Sequence, residues 1–152
     1  MVIIRKVLEG AIKEALEELG VIAGEIHLEH PEISEHGDYS TNAALVHAKE
    51  AGKKPRELAE AIAEILRAKK DAHISKIEVA GPGFINFYLS SEFFTTSLKE
   101  ILGKKDEYGR NVELLGKKII IEYTDPNPFK EFHIGHLMSN AIGESLSRLI
   151  EF

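Results

Sequence analysis

Apolar positions in the first part of the chain follow a period that predicts two long helices. Residues 2–19 place an apolar side chain at every third or fourth position, and Gly20 follows as the expected C-cap. Residues 53–70 repeat this pattern, with Pro55 in the first turn and basic residues in the last, where the helix dipole favours them. Both segments therefore present one apolar face that needs a partner.

Strict alternation of apolar and polar residues predicts short strands between and after these helices. Residues 26–28 alternate within "EIHLEH", and residues 77–79 and 84–89 alternate on either side of "GPG". Two alternating runs separated by a glycine–proline turn indicate an antiparallel hairpin. The strands therefore predict a small sheet with one face turned to the core.

Two further helices complete the predicted domain. One is expected to run through Ala51, with Ser40 or Thr41 as its cap, and the other covers residues 91–105, with Ser90 or Ser91 as its cap. Helices mixed with a small, mostly antiparallel sheet predict an α+β fold.

The pattern changes near Gly116, where we predict a domain boundary. Residues 118–123, "KIIIEY", form a continuous apolar run, as expected for a strand buried on both faces of a parallel sheet, and a helix is predicted from about Ile134. The chain is therefore expected to contain an α+β domain over residues 1–115. Residues 116–152 would then be the first β–α unit of a Rossmann-like α/β domain.

Composition narrows the class of protein. The 152 residues are 43% hydrophobic and 29% charged, with a formal net charge of −6, which fits a globular chain and disfavours indiscriminate nucleic-acid binding. The absence of cysteine excludes disulfides, zinc thiolates and cysteine nucleophiles within this sequence. With no apolar run of membrane-spanning length and no signal-peptide pattern, we expect a cytoplasmic protein that does not bind membranes.

The segment "TDPNPFKEFHIGHLMSNAIG", residues 124–143, carries the most specific chemistry. The predicted helix begins with His133 and His136 on one face of a first turn whose free amides and dipole suit phosphate. Gly135 leaves room for a flat ring against the backbone, and Lys130 adds a mobile positive charge. The pattern predicts a nucleotide-phosphate site. A metal site lacks a third ligand at a suitable spacing, and a helix start without function is the other alternative.

Longer stretches of the sequence resemble one family. The "HIGH" of residues 133–136 resembles the signature of class I aminoacyl-tRNA synthetases, and "IIIEYTDPNPFKEFHIGHL" with "IGESLSRLIEF" looks like its arginyl-tRNA synthetase version. "HGDYSTNAA" and "IEVAGPGFINFYL" resemble the N-terminal additional domain of that family. The resemblance covers essentially all of residues 1–152.

This resemblance implies roles for the residues around the histidines. His133 and His136, assisted by Lys130, would bind ATP phosphates and stabilise the charge that builds on the α-phosphate when the arginine carboxylate attacks it. Gly135 would face the adenine. ATP would bring Mg²⁺ as its counterion, and no protein-bound metal is expected.

The resemblance also implies an arginine site, with two departures from the family pattern. Glu122 and Asn127 match positions that bind the arginine substrate. Thr124 and Asp125 stand where the family usually has two small residues, so the extra carboxylate could disturb or join arginine placement. Met138 stands where an arginine commonly follows, and no role is carried over to it.

The second strand of the hairpin offers a candidate RNA surface. One alternating set is the natural core set, namely Ile85, Phe87 and Leu89. The other set, Phe84, Asn86 and Tyr88, forms an aromatic–amide–aromatic stripe of the kind that stacks unpaired bases, unless helices cover both faces. The resemblance implies contact with the D-loop at the tRNA elbow. Residues 36–42 are a second candidate, with a purely structural loop as the alternative.

The expected parent is an arginine–tRNA ligase that uses ATP, L-arginine and tRNA-Arg and is monomeric at full length. Residues 1–152 alone should be inactive, since most of a doubly wound site and the second class I signature are missing from them. Residues 117–152 should be poorly ordered alone, or covered by a second copy. The alternatives are a free-standing RNA-binding module with a vestigial "HIGH" segment, and a scaffold that binds protein.

Overall fold

A computed structural model describes residues 2–110 and 112–152 of the chain. The chain divides into two compact units, Met1–Lys99 and Glu100–Phe152, which are described separately. No helix in the described part of the chain is long and apolar enough to cross a membrane.

The first unit is an α+β fold built on a four-stranded antiparallel sheet. Its strands lie in the order β1-β2-β4-β3, so β1 and β3 form the two edges. The elements run α1 (Val2–Glu18), β1 (Leu28–Glu29), a 3-10 turn (Ser34–His36), β2 (Tyr39–Thr41), α2 (Ala43–His47), α3 (Pro55–Lys69), β3 (Ile74–Ala80), β4 (Phe84–Leu89) and α4 (Ser91–Lys104). The predicted small antiparallel sheet with packed helices is confirmed.

One hydrophobic core joins the helices to a single face of the sheet. The apolar stripes of α1 and α3 supply fully buried residues, and β4 supplies the predicted alternate set. The largest of them are Leu8, Ile12, Leu16, Leu58, Ile62, Ile85 and Phe87. Burying such side chains stabilises a fold by roughly 1.5–3 kcal/mol each, so this cluster dominates the stability of the unit.

Local signals bound α1 and α4 as the sequence predicted, whereas the N-cap of α2 is Asn42 and not Ser40 or Thr41. Gly20 has φ 81, and the amide of Val21 donates to the Leu16 carbonyl at 2.9 Å, which closes the C-terminus of α1. Before α4, the hydroxyl oxygen of Ser90 accepts the amide of Phe93 at 3.1 Å, so Ser90 is the cap. Helix α2 is shorter than predicted and continues as turns towards residue 52.

Side chains of residues 36–42 hold the sheet together. The Asp38 carboxylate accepts the amide of Leu89 at 2.7 Å, continuing the ladder past the end of β2. The buried Thr41 hydroxyl donates to the His27 carbonyl at 2.7 Å and accepts the amide of Ala43 at 3.2 Å. These contacts support a structural role for residues 36–42, which was the alternative to RNA binding.

The second unit is more open. It contains the end of α4, a 3-10 turn (Lys105–Glu107) and α5 (Ile134–Glu151), which begins where predicted. The strand predicted at residues 118–123 is wrong for this structure, because the segment is irregular and Ile120 is 96% exposed. A strand forms only by pairing, and no strand of the described chain lies alongside this one.

Candidate functional site

The two histidines of the "HIGH" segment cap the start of α5 reciprocally. His133 is the N-cap residue in an extended conformation, and its Nδ1 accepts the amide of Gly135 at 3.1 Å. The Nδ1 of His136 accepts the amide of His133 at 3.2 Å. The rings stack with their centroids 3.9 Å apart. The spacing of three residues therefore builds a capping box from imidazoles.

For neutral imidazoles, this arrangement specifies the tautomer of both rings. Because Nδ1 of each imidazole accepts a backbone amide, the proton of each ring resides on Nε2. The cap thus leaves the Nε2–H group of each ring as a donor at the positive end of a helix. Such a pair suits oxygens of an anion such as phosphate.

The capping geometry brings the His133 ring close to Gly135. A Cβ at this position would lie 2.9 Å from Cε1 and 3.1 Å from Nδ1 of the His133 ring. The space that the sequence predicts for a flat ring is therefore occupied here by the imidazole of His133. The predicted contact of Gly135 with adenine stays a prediction.

A cleft of about 610 Å³ lies between residues 121–126 and α5. Glu122 and His136 are both among its lining residues, so the structure brings a predicted arginine-binding residue to the same cleft as a predicted ATP-binding one. Tyr123 also lines the cleft and packs on Gly143 so closely that a Cβ there would overlap the tyrosine side chain.

Hydrogen bonds tie this irregular segment to α5. The Tyr123 hydroxyl donates to the Glu144 carboxylate, and the Thr124 hydroxyl donates to Asn140. The hydrogen bond from Tyr123, followed by that from Arg148, holds the pKa of Glu144 below its ordinary value. Residues 121–126 are therefore held against α5 by these hydrogen bonds, although they do not form a strand.

Asn127 and Lys130 lie in the turn that precedes α5. The side-chain oxygen of Asn127 accepts the amide of Phe129 at 3.0 Å, and the Lys130 amide donates to the Asn127 carbonyl at 3.1 Å. Both side chains are exposed. In the described part of the chain, no group of three or more histidine, aspartate or glutamate residues is arranged to hold a metal.

On the sheet, the predicted aromatic–amide stripe is only partly outward. Phe84 and Tyr88 are half-buried, but Asn86 is 4% exposed, so the prediction of an outward amide is wrong. The reason is its neighbour Ser40, directly opposite on β2, whose hydroxyl donates to the Asn86 side-chain oxygen at 2.8 Å. Ser40 lies 46 residues away in sequence, which is why the strand pattern alone missed it.

Polar groups contact Tyr88, which lies on the same face of the sheet as Phe84. Its hydroxyl lies 2.6 Å from the Glu35 carbonyl oxygen and 3.1 Å from the Glu78 carboxylate, and both can accept its proton. The Lys76 ammonium lies 4.8 Å from the ring centroid and 2.7 Å from Glu78. The hydrogen bond from Lys76, followed by that from Tyr88, holds the pKa of the Glu78 carboxyl below its ordinary value. Lys76 and Glu78 were missed because charged residues at i and i+2 of an edge strand usually signal only a solvated face.

Comparisons with known families match the two parts of the chain separately. Residues 6–89 match the profile described as the arginyl tRNA synthetase N terminal domain. Residues 97–152 match the profile described as the catalytic domain of class I (R) tRNA synthetases.

Individual relatives agree with these profiles. The chain is 42% identical over 127 residues to an arginine–tRNA ligase of Staphylococcus carnosus, covering 84% of this chain and 23% of that protein. It is 40% identical over 126 residues to the arginine–tRNA ligase of a Staphylococcus aureus strain, covering 83% and 23% respectively. The chain thus spans about a quarter of the length of these relatives.

Solved structures share the fold. An arginyl-tRNA synthetase from Plasmodium falciparum superposes with a TM-score of 0.77 at 24% identity, covering 98% of this chain and 28% of that one. An arginyl-tRNA synthetase from Thermus thermophilus gives a TM-score of 0.60 at 29% identity, covering 95% and 22%.

Proposed function

Since this chain belongs to the arginyl-tRNA synthetase family, we propose that it is the N-terminal part of an arginine–tRNA ligase. That enzyme would join arginine to ATP as the adenylate and pass the arginyl group to tRNA-Arg. The observation that carries this proposal is the order of two family profiles, N-terminal at residues 6–89 and catalytic at residues 97–152, along one chain. A cytoplasmic location and a monomeric full-length protein belong to the same proposal.

The "HIGH" segment would supply part of the ATP site. The reciprocal cap leaves the Nε2–H groups of His133 and His136 as donors, and these would bind phosphate oxygens and stabilise developing charge on the α-phosphate. Lys130, exposed in the preceding turn, would add a mobile positive charge. Gly135 would lie near the adenine, and Mg²⁺ would arrive with ATP.

Glu122 and Asn127 would bind the arginine substrate. Glu122 lines the same cleft as His136, which supports placing a cationic amino acid beside the nucleotide. The carboxylate would pair with the guanidinium or ammonium group of the substrate, an interaction that is strong when bidentate. Asp125 also lines this cleft and would add a second carboxylate to it.

The outward face of the sheet would contact the tRNA elbow. Phe84 and Tyr88 expose part of their rings, and unpaired bases stack on such rings. Asn86 is 4% exposed and its oxygen is engaged by Ser40, so it would hold β4 against β2 rather than contact a base. The net charge of −6 makes shape and stacking better candidates than general phosphate attraction.

The tRNA contact can be tested with a tRNA-Arg transcript and this chain. Phe84→Ala should weaken binding about tenfold, because stacking one base on an aromatic ring contributes roughly 1–3 kcal/mol. Phe94→Ala removes an exposed ring from α4 and should leave the affinity unchanged. Equal affinities for wild type and Phe84→Ala, with both chains folded, would favour a protein partner instead.

The free-standing module remains the second candidate, favoured by the complete core of the first unit. The size of the native polypeptide in its source cells decides between the two. An antibody against residues 1–110 should detect a band several times larger than this chain if the ligase proposal is correct. A band of 16.9 kDa would contradict it.

We propose domains of residues 1–115 and 116–152. The polar segment after α4 supports a cleavable connection near Gly116, which has φ 77 and lies in exposed chain. Brief proteolysis should release a stable fragment ending between residues 105 and 117. A stable fragment ending near residue 90, without α4, would move the boundary.

A further inference from the structure

The surroundings of Tyr88 suggest more than a solvated sheet face. Lys76 lies directly opposite Tyr88 on β3, and Glu78 lies directly opposite Asn86. The two charged residues of β3 therefore lie beside Tyr88 and Asn86 in the stripe. Phe84, at the other end of the stripe, lies opposite the small residue Ala80.

The tyrosine side chain is held at both its hydroxyl and its ring. The hydroxyl has one proton and two acceptors, the Glu35 carbonyl at 2.6 Å and the Glu78 carboxylate at 3.1 Å. The Lys76 ammonium, itself 2.7 Å from Glu78, lies over one face of the ring. A cation over a tyrosine ring is attractive, so this face is already occupied.

Because the ammonium occupies one face of this half-buried ring, a flat ligand could stack only on the opposite face. Ordering a free side chain on binding weakens an interface by roughly twofold to tenfold, and a ring that is already fixed avoids this loss. Lys76 and Glu78 are about half exposed, with side-chain exposures of 56% and 46%. Such an exposed pair contributes little to overall stability, so removing either charge should leave the chain folded.

We propose that Lys76 and Glu78 are positioning residues for RNA binding, holding Tyr88 so that an unpaired base stacks on the ring face opposite the ammonium. The inference rests on the proposed tRNA contact of this sheet. It assigns no direct contact between Lys76 and the RNA backbone.

The test measures the affinity of the 152-residue chain for a tRNA-Arg transcript as a function of salt concentration. Lys76→Met keeps the apolar stem and removes the charge, and Glu78→Gln removes the charged acceptor. Each should weaken binding about twofold to tenfold, with the same dependence of affinity on salt as wild type. In a Tyr88→Leu chain, neither change should have a further effect, because the positioned ring is gone.

The chain offers a matched control. Lys104 and Glu100 on α4 form an ion pair of the same length, 2.7 Å, with side-chain exposures of 56% and 39%. Lys104→Met removes the same charge without touching the sheet residues around Tyr88 and should leave the affinity unchanged. Urea unfolding of each variant verifies that the chains remain folded.

Three results would overturn the inference. The first is that Lys76→Met has no more effect on affinity than Lys104→Met. The second is that Lys76→Met weakens binding as much in the Tyr88→Leu chain as in the wild type. The third is that Lys76→Met lowers the dependence of affinity on salt concentration by about one unit, which marks a phosphate contact. If Phe84→Ala weakens binding and Lys76→Met does not, only this inference fails. If neither Phe84→Ala nor Tyr88→Leu weakens binding, the tRNA contact fails together with it.

Discussion

Gly83 is a residue whose identity is dictated by its surroundings in the fold. It ends the turn between β3 and β4 with φ 144, a conformation that side chains rarely adopt. A Cβ there would lie 3.0 Å from the backbone carbon and oxygen of Pro55, at the start of α3. The hairpin can therefore approach the helix only because this position lacks a side chain. Gly81, in the same turn, has φ 53 and open space around it.

We expect Gly83→Ala to destabilise the chain by about 3 kcal/mol, since backbone strain and a steric clash combine. Gly81→Ala should cost only about 1–2 kcal/mol, because it adds a left-handed conformation without a clash. Urea unfolding of both variants measures the difference. Equal losses would show that the approach to Pro55 does not constrain the turn.

On each edge strand of the sheet, one backbone carbonyl accepts hydrogen bonds from an arginine side chain of a helix. On β1, the Leu28 carbonyl accepts Nη2 of Arg5 at 2.9 Å. On β3, the Ile77 carbonyl accepts both Nε and Nη2 of Arg67, at 3.3 and 2.8 Å. An open strand edge invites pairing with another chain, so these guanidinium groups protect the sheet as well as satisfy its carbonyls.

Arg67→Met should therefore have two effects. It should lower the free energy of unfolding by about 1–2 kcal/mol, because a hydrogen bond from a charged donor is lost. It should also promote self-association at high protein concentration through β3. Urea unfolding and sedimentation velocity measure these effects. Arg110→Met is the control, because it removes a guanidinium that contacts Glu107 and the Phe152 ring and no strand of the described sheet. Identical behaviour of the two variants would contradict the edge role.

At the scale of the whole molecule, the two units differ in how much they bury. The first has a continuous core, whereas α5 has only Gly143 buried and exposes an apolar stripe. The exposed residues include Ile134, Leu137, Met138, Ile142, Leu146 and Leu149. A stripe of this size usually faces a partner. In the proposed ligase, the remainder of the catalytic domain would cover it, since related ligases are about four times longer.

We expect no arginine-dependent exchange of pyrophosphate into ATP by the purified 152-residue chain. A doubly wound nucleotide site needs several parallel strands and the cleft between them, and the described residues contain no parallel pair. The arginine–tRNA ligase of Staphylococcus carnosus, assayed alongside, should be active. Exchange by this chain that disappears in His136→Ala would contradict the expectation.

Local patterns in the sequence determined most of the first unit. Helical periods specify α1 and α3, the alternation in residues 84–89 specifies which residues of β4 face the core, and "GPG" specifies the turn. The start of α5 was also predictable, because histidines at i and i+3 can cap each other across one turn. Each of these features depends on residues within a few positions of one another.

Tertiary structure alone decided the rest, because the contacts concerned join distant parts of the chain. Asn86 is buried through Ser40, 46 residues earlier, and Tyr88 is oriented through Glu35, 53 residues earlier. The apolar run at residues 118–123 has the composition of a buried strand, but no strand among the described residues pairs with it. Periodicity reports which face of an element is apolar. Pairing and burial depend on which other element comes to lie against that face.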